Sequence, residues 1–236
     1  MKKLFAILVC SLLCFSTLDS FGQNFYKERI SRNHIVSIGV GPSFAYLDNG
    51  GQYRDFDFAI KPSISASVIK RMTPVIDLRA TLGIQWIESG GNPSTKARDE
   101  WFLNGSSFTA KGSSVYFDVM PTFNLVSFDN HIYRSKVNFY GGAGLGVMFT
   151  QTEQKKSFSE EERPTDNSIT TGFVPVRAGL SIKIGPYSDI AGEGTALFTF
   201  TDNLDGNIGF NRWGDHLFQA QIVYRRYFIP KSLAGN

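Results

Sequence analysis

Between Val75 and Glu88 the chain alternates with a period of two. Ile76, Leu78, Ala80, Leu82, Ile84 and Trp86 fall on one parity, and Asp77, Arg79, Thr81, Gly83 and Gln85 on the other. A strand sends successive side chains to opposite faces, so the two sets are two surfaces. A one-sided soluble sheet packs its apolar face on a core and leaves its polar face in bulk water. Here the polar face mixes opposite charges with glycine, which suits a crowded, hydrated interior. The other face is apolar enough for hydrocarbon. This pairing is the pattern of a strand in a transmembrane β-barrel.

The same alternation recurs over about 34–47, 58–70, 114–126, 137–149, 172–184, 189–201 and 216–228, which predicts eight strands in all. Each is close to the ~9–11 residues that a tilted spanning strand needs. The connections alternate in length. Residues 71–74 and 185–188 read as tight turns and 127–136 as an intermediate one; 48–57, 89–112, 150–171 and 202–215 read as long polar loops. Short periplasmic turns, long outer loops and an even strand number place both termini in the periplasm. Pro42, Pro62 and Pro121 fall on outward positions and Pro175 on an inward one. Proline removes a ladder donor, so bulges and disturbed register are expected at these four points. Mean hydropathy is only −0.12, as it is when every second residue meets lipid.

The beginning of the chain reads as a signal peptide over 1–22. Lys2 and Lys3 precede an apolar run from Leu4 to Phe15 and a small-residue site at Ser20-Phe21-Gly22. The barrel then occupies 23–236, with short periplasmic tails at 23–33 and 229–236. Cys10 and Cys14, the two cysteines, fall in the signal. No thiol nucleophile or cysteine metal site is therefore expected in the mature chain. Leu13 before Cys14 makes a poor lipidation motif.

The near-neutral balance, +3, conceals a separation. On the predicted topology the outer loops are mainly acidic, and the periplasmic turns and tails mainly basic. Arg71, Arg134 and Lys136 form a candidate docking surface on that basic rim for an acidic periplasmic partner or anionic headgroups. Inward charges alternate in sign. Eight strands leave just enough interior for side chains to fill, and buried charges persist only when paired. Lys61, Asp77, Arg79, Asp118, Arg177 and Glu193 are therefore expected to form an ion-pair network through the lumen. Arg177 and Glu193 should interact directly or through Arg79. A narrow polar conduit is the alternative.

Catalytic chemistry finds little support. The histidines are His34, His131 and His216, and His216 beside Asp215 has no serine at a useful position for a Ser-His-acid set. The run Gly141-Gly142-Ala143-Gly144-Leu145-Gly146 fails the G-x-G-x-x-G spacing, because Val147 stands where the third glycine belongs. Its inward glycines are read as making room for large neighbours such as Arg177. Asp202-Asn203-Leu204-Asp205-Gly206 lacks the ligand spacing of a calcium loop. No catalytic residue, cofactor, metal or nucleic-acid partner is expected.

Three stretches carry a family resemblance: Asn138 to Gly146, Phe200 to Asp205, and the terminal strand Phe218 to Phe228. On these the chain resembles small outer-membrane barrels of the OmpA type, and more specifically the PorG-like barrels associated with the type IX secretion system. The resemblance implies a non-enzymatic secretion component in the outer membrane, surrounded by lipid, which contacts a periplasmic lipoprotein ring. A stand-alone structural or surface-binding barrel, or a narrow solute channel, remains the alternative.

Overall fold

The computed structural model describes residues 31–47, 58–89, 95–96, 99, 103, 109–155, 163–206, 208 and 214–229. The expected signal peptide, the loop 48–57, the tip of the 150–171 loop and the tail beyond 229 lie outside them.

Nine strands follow one another: β1 (His34–Tyr46), β2 (Lys61–Arg71), β3 (Ile76–Glu88), β4 (Thr109–Asn124), β5 (Val137–Ala143), β6 (Leu145–Lys155), β7 (Thr165–Gly185), β8 (Ser188–Thr199) and β9 (His216–Phe228). Every pairing is antiparallel. The last strand pairs back to the first, from His34↔Phe228 to Tyr46↔His216. β5 and β6 lie end to end, and both are flanked by β4 and β7. They form one stave, so the sheet closes as a ring of eight staves.

The interruption between β5 and β6 has a local cause. The ladders β4–β5 and β4–β6 share one register, which sets Pro121 opposite Ala143. On the other side Pro175 stands opposite Gly144, and Gly144 N–H donates to its carbonyl at 3.1 Å. Each proline lacks the N–H that would bond back. The stave loses its ladder where it passes between them. The prolines do not shift register, contrary to expectation. Pro42 lies directly opposite Pro62 in an unbroken β1–β2 ladder. The other ladder of β1, with β9, skips Gly41 and Pro42 but resumes in the same register at Ser43↔Gln219, and the one register shift among the described strands is at Lys183/Gly185, beside the β7–β8 turn.

Alternation of burial follows the sequence parity. Ser37, Ser65, Asp77, Arg79, Asp118, Arg177 and Asp189 are buried, while their neighbours Ile38, Ile64, Leu78, Val119, Val176 and Ile190 are exposed. Large interior rings rest on glycine. A Cβ on Gly83 would lie 2.3 Å from the Tyr116 ring, and one on Gly179 2.5 Å from the Tyr140 ring. In the glycine run, a Cβ at Gly146 would strike Phe173 and one at Gly144 would strike Met120. The space expected for Arg177 is thus taken by these two side chains.

β4, β6 and β7 run further at the long-loop end than the sequence suggests. The residues read as the start of a loop, 150–155, and as its end, 165–171, continue the β6–β7 ladder from Thr150↔Ile169 to Gln154↔Thr165. Lys111, Gln151, Glu153, Asp166, Ser168 and Thr170 occupy the outward positions there. The ladder outlasts the apolar stripe, so a criterion of lipid-grade residues stops the strands early.

Candidate functional site

The described inward side chains are buried along the length of the barrel. At the long-loop end Ala45, Leu47, Ile87, Tyr116, Met148, Phe173, Leu197, Leu204 and Leu217 form one apolar cluster. Leu204 enters it from the loop after β8. Its N–H donates to Asp215 Oδ2 at 2.7 Å, and its carbonyl accepts from Thr152 Oγ1 at 3.0 Å. Asn167 Nδ2 holds the adjacent Asn203 carbonyl at 3.2 Å. Gly206, at φ +87°, turns the chain away again. This loop strap adds Leu204 to the cluster at the long-loop end.

Beneath the cluster lies a neutral polar layer. Tyr116 hydroxyl donates to Gln219 Oε1 at 3.0 Å, and Gln219 Nε2 donates to Gln85 Oε1 at 2.9 Å. Ser65 Oγ donates to Gln221 Oε1 at 2.7 Å, and Gln221 Nε2 to Ser63 Oγ at 3.0 Å.

The charged layer comes next. Arg177 grips Asp118 with both terminal nitrogens, at 2.6 and 2.7 Å. Arg79 grips Glu193 likewise, at 2.5 and 3.0 Å. Arg177 Nε lies 3.8 Å from Glu193 and joins the two pairs into one chain of alternating charge. Tyr140 hydroxyl completes the Glu193 shell at 2.8 Å, and Arg225 lies 4.8 Å from the Tyr140 ring centroid. Two-pronged pairs of this kind are the strong form of ionic hydrogen bond.

Of the six residues expected in the network, these four meet. The other two pair elsewhere. Lys61 bridges Glu88 at the long-loop rim. Asp77 pairs with Arg71 at the short-turn end, at 2.9 Å, and also accepts from Asn124 Nδ2 at 2.8 Å.

The short-turn end corrects the expected docking trio. Of the three, only Lys136 is exposed. Arg71 and Arg134 are 9% and 5% exposed and turn inward. Arg71 lies over the Phe128 ring, 3.5 Å from its centroid. Arg134 is the centre of a closure. Its Nη2 bonds Asp189 Oδ1 at 2.7 Å, Gly185 O at 2.7 Å and Ser188 O at 3.1 Å; its Nη1 bonds Pro186 O at 2.7 Å. Tyr227 hydroxyl donates to the other Asp189 oxygen at 2.7 Å. The β4–β5 connection, with a short 3-10 turn at His131–Tyr133, is thereby stitched beneath the β7–β8 turn. Arg71 shares the inward parity of Ser63, Ser65 and Ser67, and this signal could have found it. Arg134 sits outside any strand, so the sequence offers no parity to read.

Among the described residues, the interior histidines and acids form no reaction centre. His216 Nδ1 lies 2.7 Å from the carbonyl of its neighbour Asp215, and its ring meets the Phe198 ring edge-on at 5.2 Å. No serine bonds it among the described residues. Those residues also hold no cluster of three metal-ligating side chains.

The outer wall is a continuous apolar belt, with Ile38, Val40, Leu82, Phe117, Phe139, Val147 and Ile222 all 47% exposed or more. Soluble proteins rarely expose patches larger than a few hundred Å². Such a belt is stable against the hydrocarbon of a bilayer.

No protein-family model and no curated protein matches the sequence. Solved structures do match the fold. Neisserial surface protein A aligns over 83% of this chain and 97% of its own, at 13% identity and a TM-score of 0.50. The attachment invasion locus protein Ail of Yersinia pestis aligns over 84% and 100%, at 13% identity and 0.48. A major outer membrane protein of Thermus thermophilus aligns over 81% and 99%, at 10% identity and 0.48. The fold is that of a small outer-membrane β-barrel.

Proposed function

We propose that this chain is a non-conducting, non-enzymatic barrel of the outer membrane that works by binding at its ends. The observation that carries this reading is the filled lumen: apolar, neutral polar and ionic layers follow one another with a stitched turn beneath. A conduit needs an open path, and an enzyme needs a nucleophile and base that face a substrate.

On this reading the short-turn end faces the periplasm, where the chain docks a lipoprotein ring of the type IX secretion machinery. The three sequence stretches that resemble PorG-like barrels support that role. So does the form of this end, a folded plate rather than loose turns. Tyr133, 83% exposed, stands out from it, and Lys70 and Lys136 are exposed beside it. Their charges act over only ~8 Å at physiological salt, so docking that uses them should weaken as salt rises. The test is Lys70→Glu with Lys136→Glu and Tyr133→Ala. The barrel should fold normally, and co-purification of the periplasmic partner and secretion should both be lost.

A second reading, a surface-binding barrel, is favoured by the polar three-stranded extension of β4, β6 and β7. Deleting residues 155–163 would be the damaging change in that case, with the rim substitutions silent.

A further inference from the structure

His131 occupies a setting that neither a lumen filler nor a docking surface requires. It opens the 3-10 turn at the short-turn end and is 1% exposed. Its Nδ1 accepts the Arg32 backbone N–H at 3.2 Å. The ring proton therefore sits on Nε2, the tautomer that this bond assigns. Nε2 is buried and has no hydrogen-bond partner among the described residues. The ring stacks with Tyr187 at 5.6 Å and with Tyr227 at 6.2 Å.

Every charged group packed around it is cationic or already committed. Arg32, from the segment before β1, lies over the Tyr187 ring. Arg134, from the same turn, bonds the His131 carbonyl. Lys183 of β7 donates Nζ to the Ile132 carbonyl at 2.7 Å. Asp189 of β8, the carboxylate bound to this group, is occupied by Arg134 and the Tyr227 hydroxyl. Tyr187 and Tyr227 offer ring faces.

We propose that His131 is an acid-sensitive latch whose protonation releases the segment 128–133 from the end of the barrel, while the wall and the lumen network stay intact. A second ring proton would sit on Nδ1, where it faces the Arg32 N–H donor and breaks that bond. It would also add a fourth positive charge to a buried site with no acceptor to spare. Cost without compensation is the rule for such a charge.

Burial, and then Arg32, Arg134 and Lys183, hold the imidazole pKa down to about 4 in the closed turn. Released, the ring returns to its ordinary value near ~6.5. The neutral form stabilises the closed turn fully above that ordinary value. This stabilisation falls as pH drops from ~6.5 towards ~4, and the dependence flattens below. The ratio of released to closed turn should rise about 20-fold between pH ~7 and ~5.

The experiment is hydrogen–deuterium exchange of the full chain in detergent, corrected for intrinsic exchange. The reporters are the amides of Arg32, bonded to His131 Nδ1, of Ile132, bonded to Asn130 Oδ1, and of Tyr133, bonded to the Asn130 carbonyl. Their protection should fall about 20-fold from pH ~7 to ~5 and recover on return, while strand amides hold. His131→Gln keeps an acceptor for Arg32 but gains no charge, and should stay protected at both values. If His131→Gln loosens the turn even at neutral pH, His131→Phe preserves the two ring stacks and serves as the non-titrating control. Wild-type protection that is unchanged down to pH ~4.5, or an equal pH response in the non-titrating variant, overturns the latch.

Discussion

All three guanidinium nitrogens of Arg134 donate to the barrel end, and Asp189 takes two of those bonds. Removing one member of a buried pair strands the other. Arg134→Ala should therefore cost about 3–5 kcal/mol, read as a lower urea midpoint in detergent. Arg134→Lys should recover little, because one ammonium cannot replace a planar fork. A midpoint that Arg134→Ala leaves unmoved would refute the stitching role. The same physics makes Arg71→Glu a stability lesion, since it sets a second carboxylate against Asp77. Within the charged layer the distances rank the couplings. A double-mutant cycle between Asp118 and Arg177 should give a larger coupling energy than one between Arg177 and Glu193, whose contact is 3.8 Å. Equal couplings would show that the layer acts as one diffuse cluster. The inward charges were legible from parity alone. Which acid takes which base was not, because parity fixes the face of a residue but not its height in a tilted barrel.

Strand existence was legible wherever apolar and polar residues alternate. Strand length was not, because β4, β6 and β7 continue with polar residues on both faces once they leave the apolar belt. The break at Gly144 needs two neighbours that are distant in sequence, Pro121 and Pro175, and no local window contains all three. The strap after β8 was likewise hidden. Leu204 sits in a stretch that looks like an acidic turn, yet it is fully buried. Leu204→Ala should cost about 2–5 kcal/mol as a cavity-forming change. It should also speed exchange of the Leu204 amide, which Asp215 otherwise protects. A stability loss well below that range would mean that the cluster closes without the strap.

The described barrel is a wall around buried, paired side chains. Reconstituted in planar bilayers at neutral pH it should carry no steady ion current, and unboiled protein should migrate anomalously on gels as closed barrels do. A stable conductance would return the solute-channel reading. The ring has a further consequence. Arg32 reaches the Tyr227 carbonyl across 195 positions of chain, and β1 finds its second neighbour only in β9. A closed wall has no first stave. The order in which staves are written along the gene is one of several that would describe the same solid, as a necklace is unchanged by moving its clasp. Joining the two ends beside His34 and Phe228 and reopening the chain between β6 and β7 should give a rearranged sequence that reaches the same barrel. What would change is the route, since a different pair of staves would then have to wait for each other.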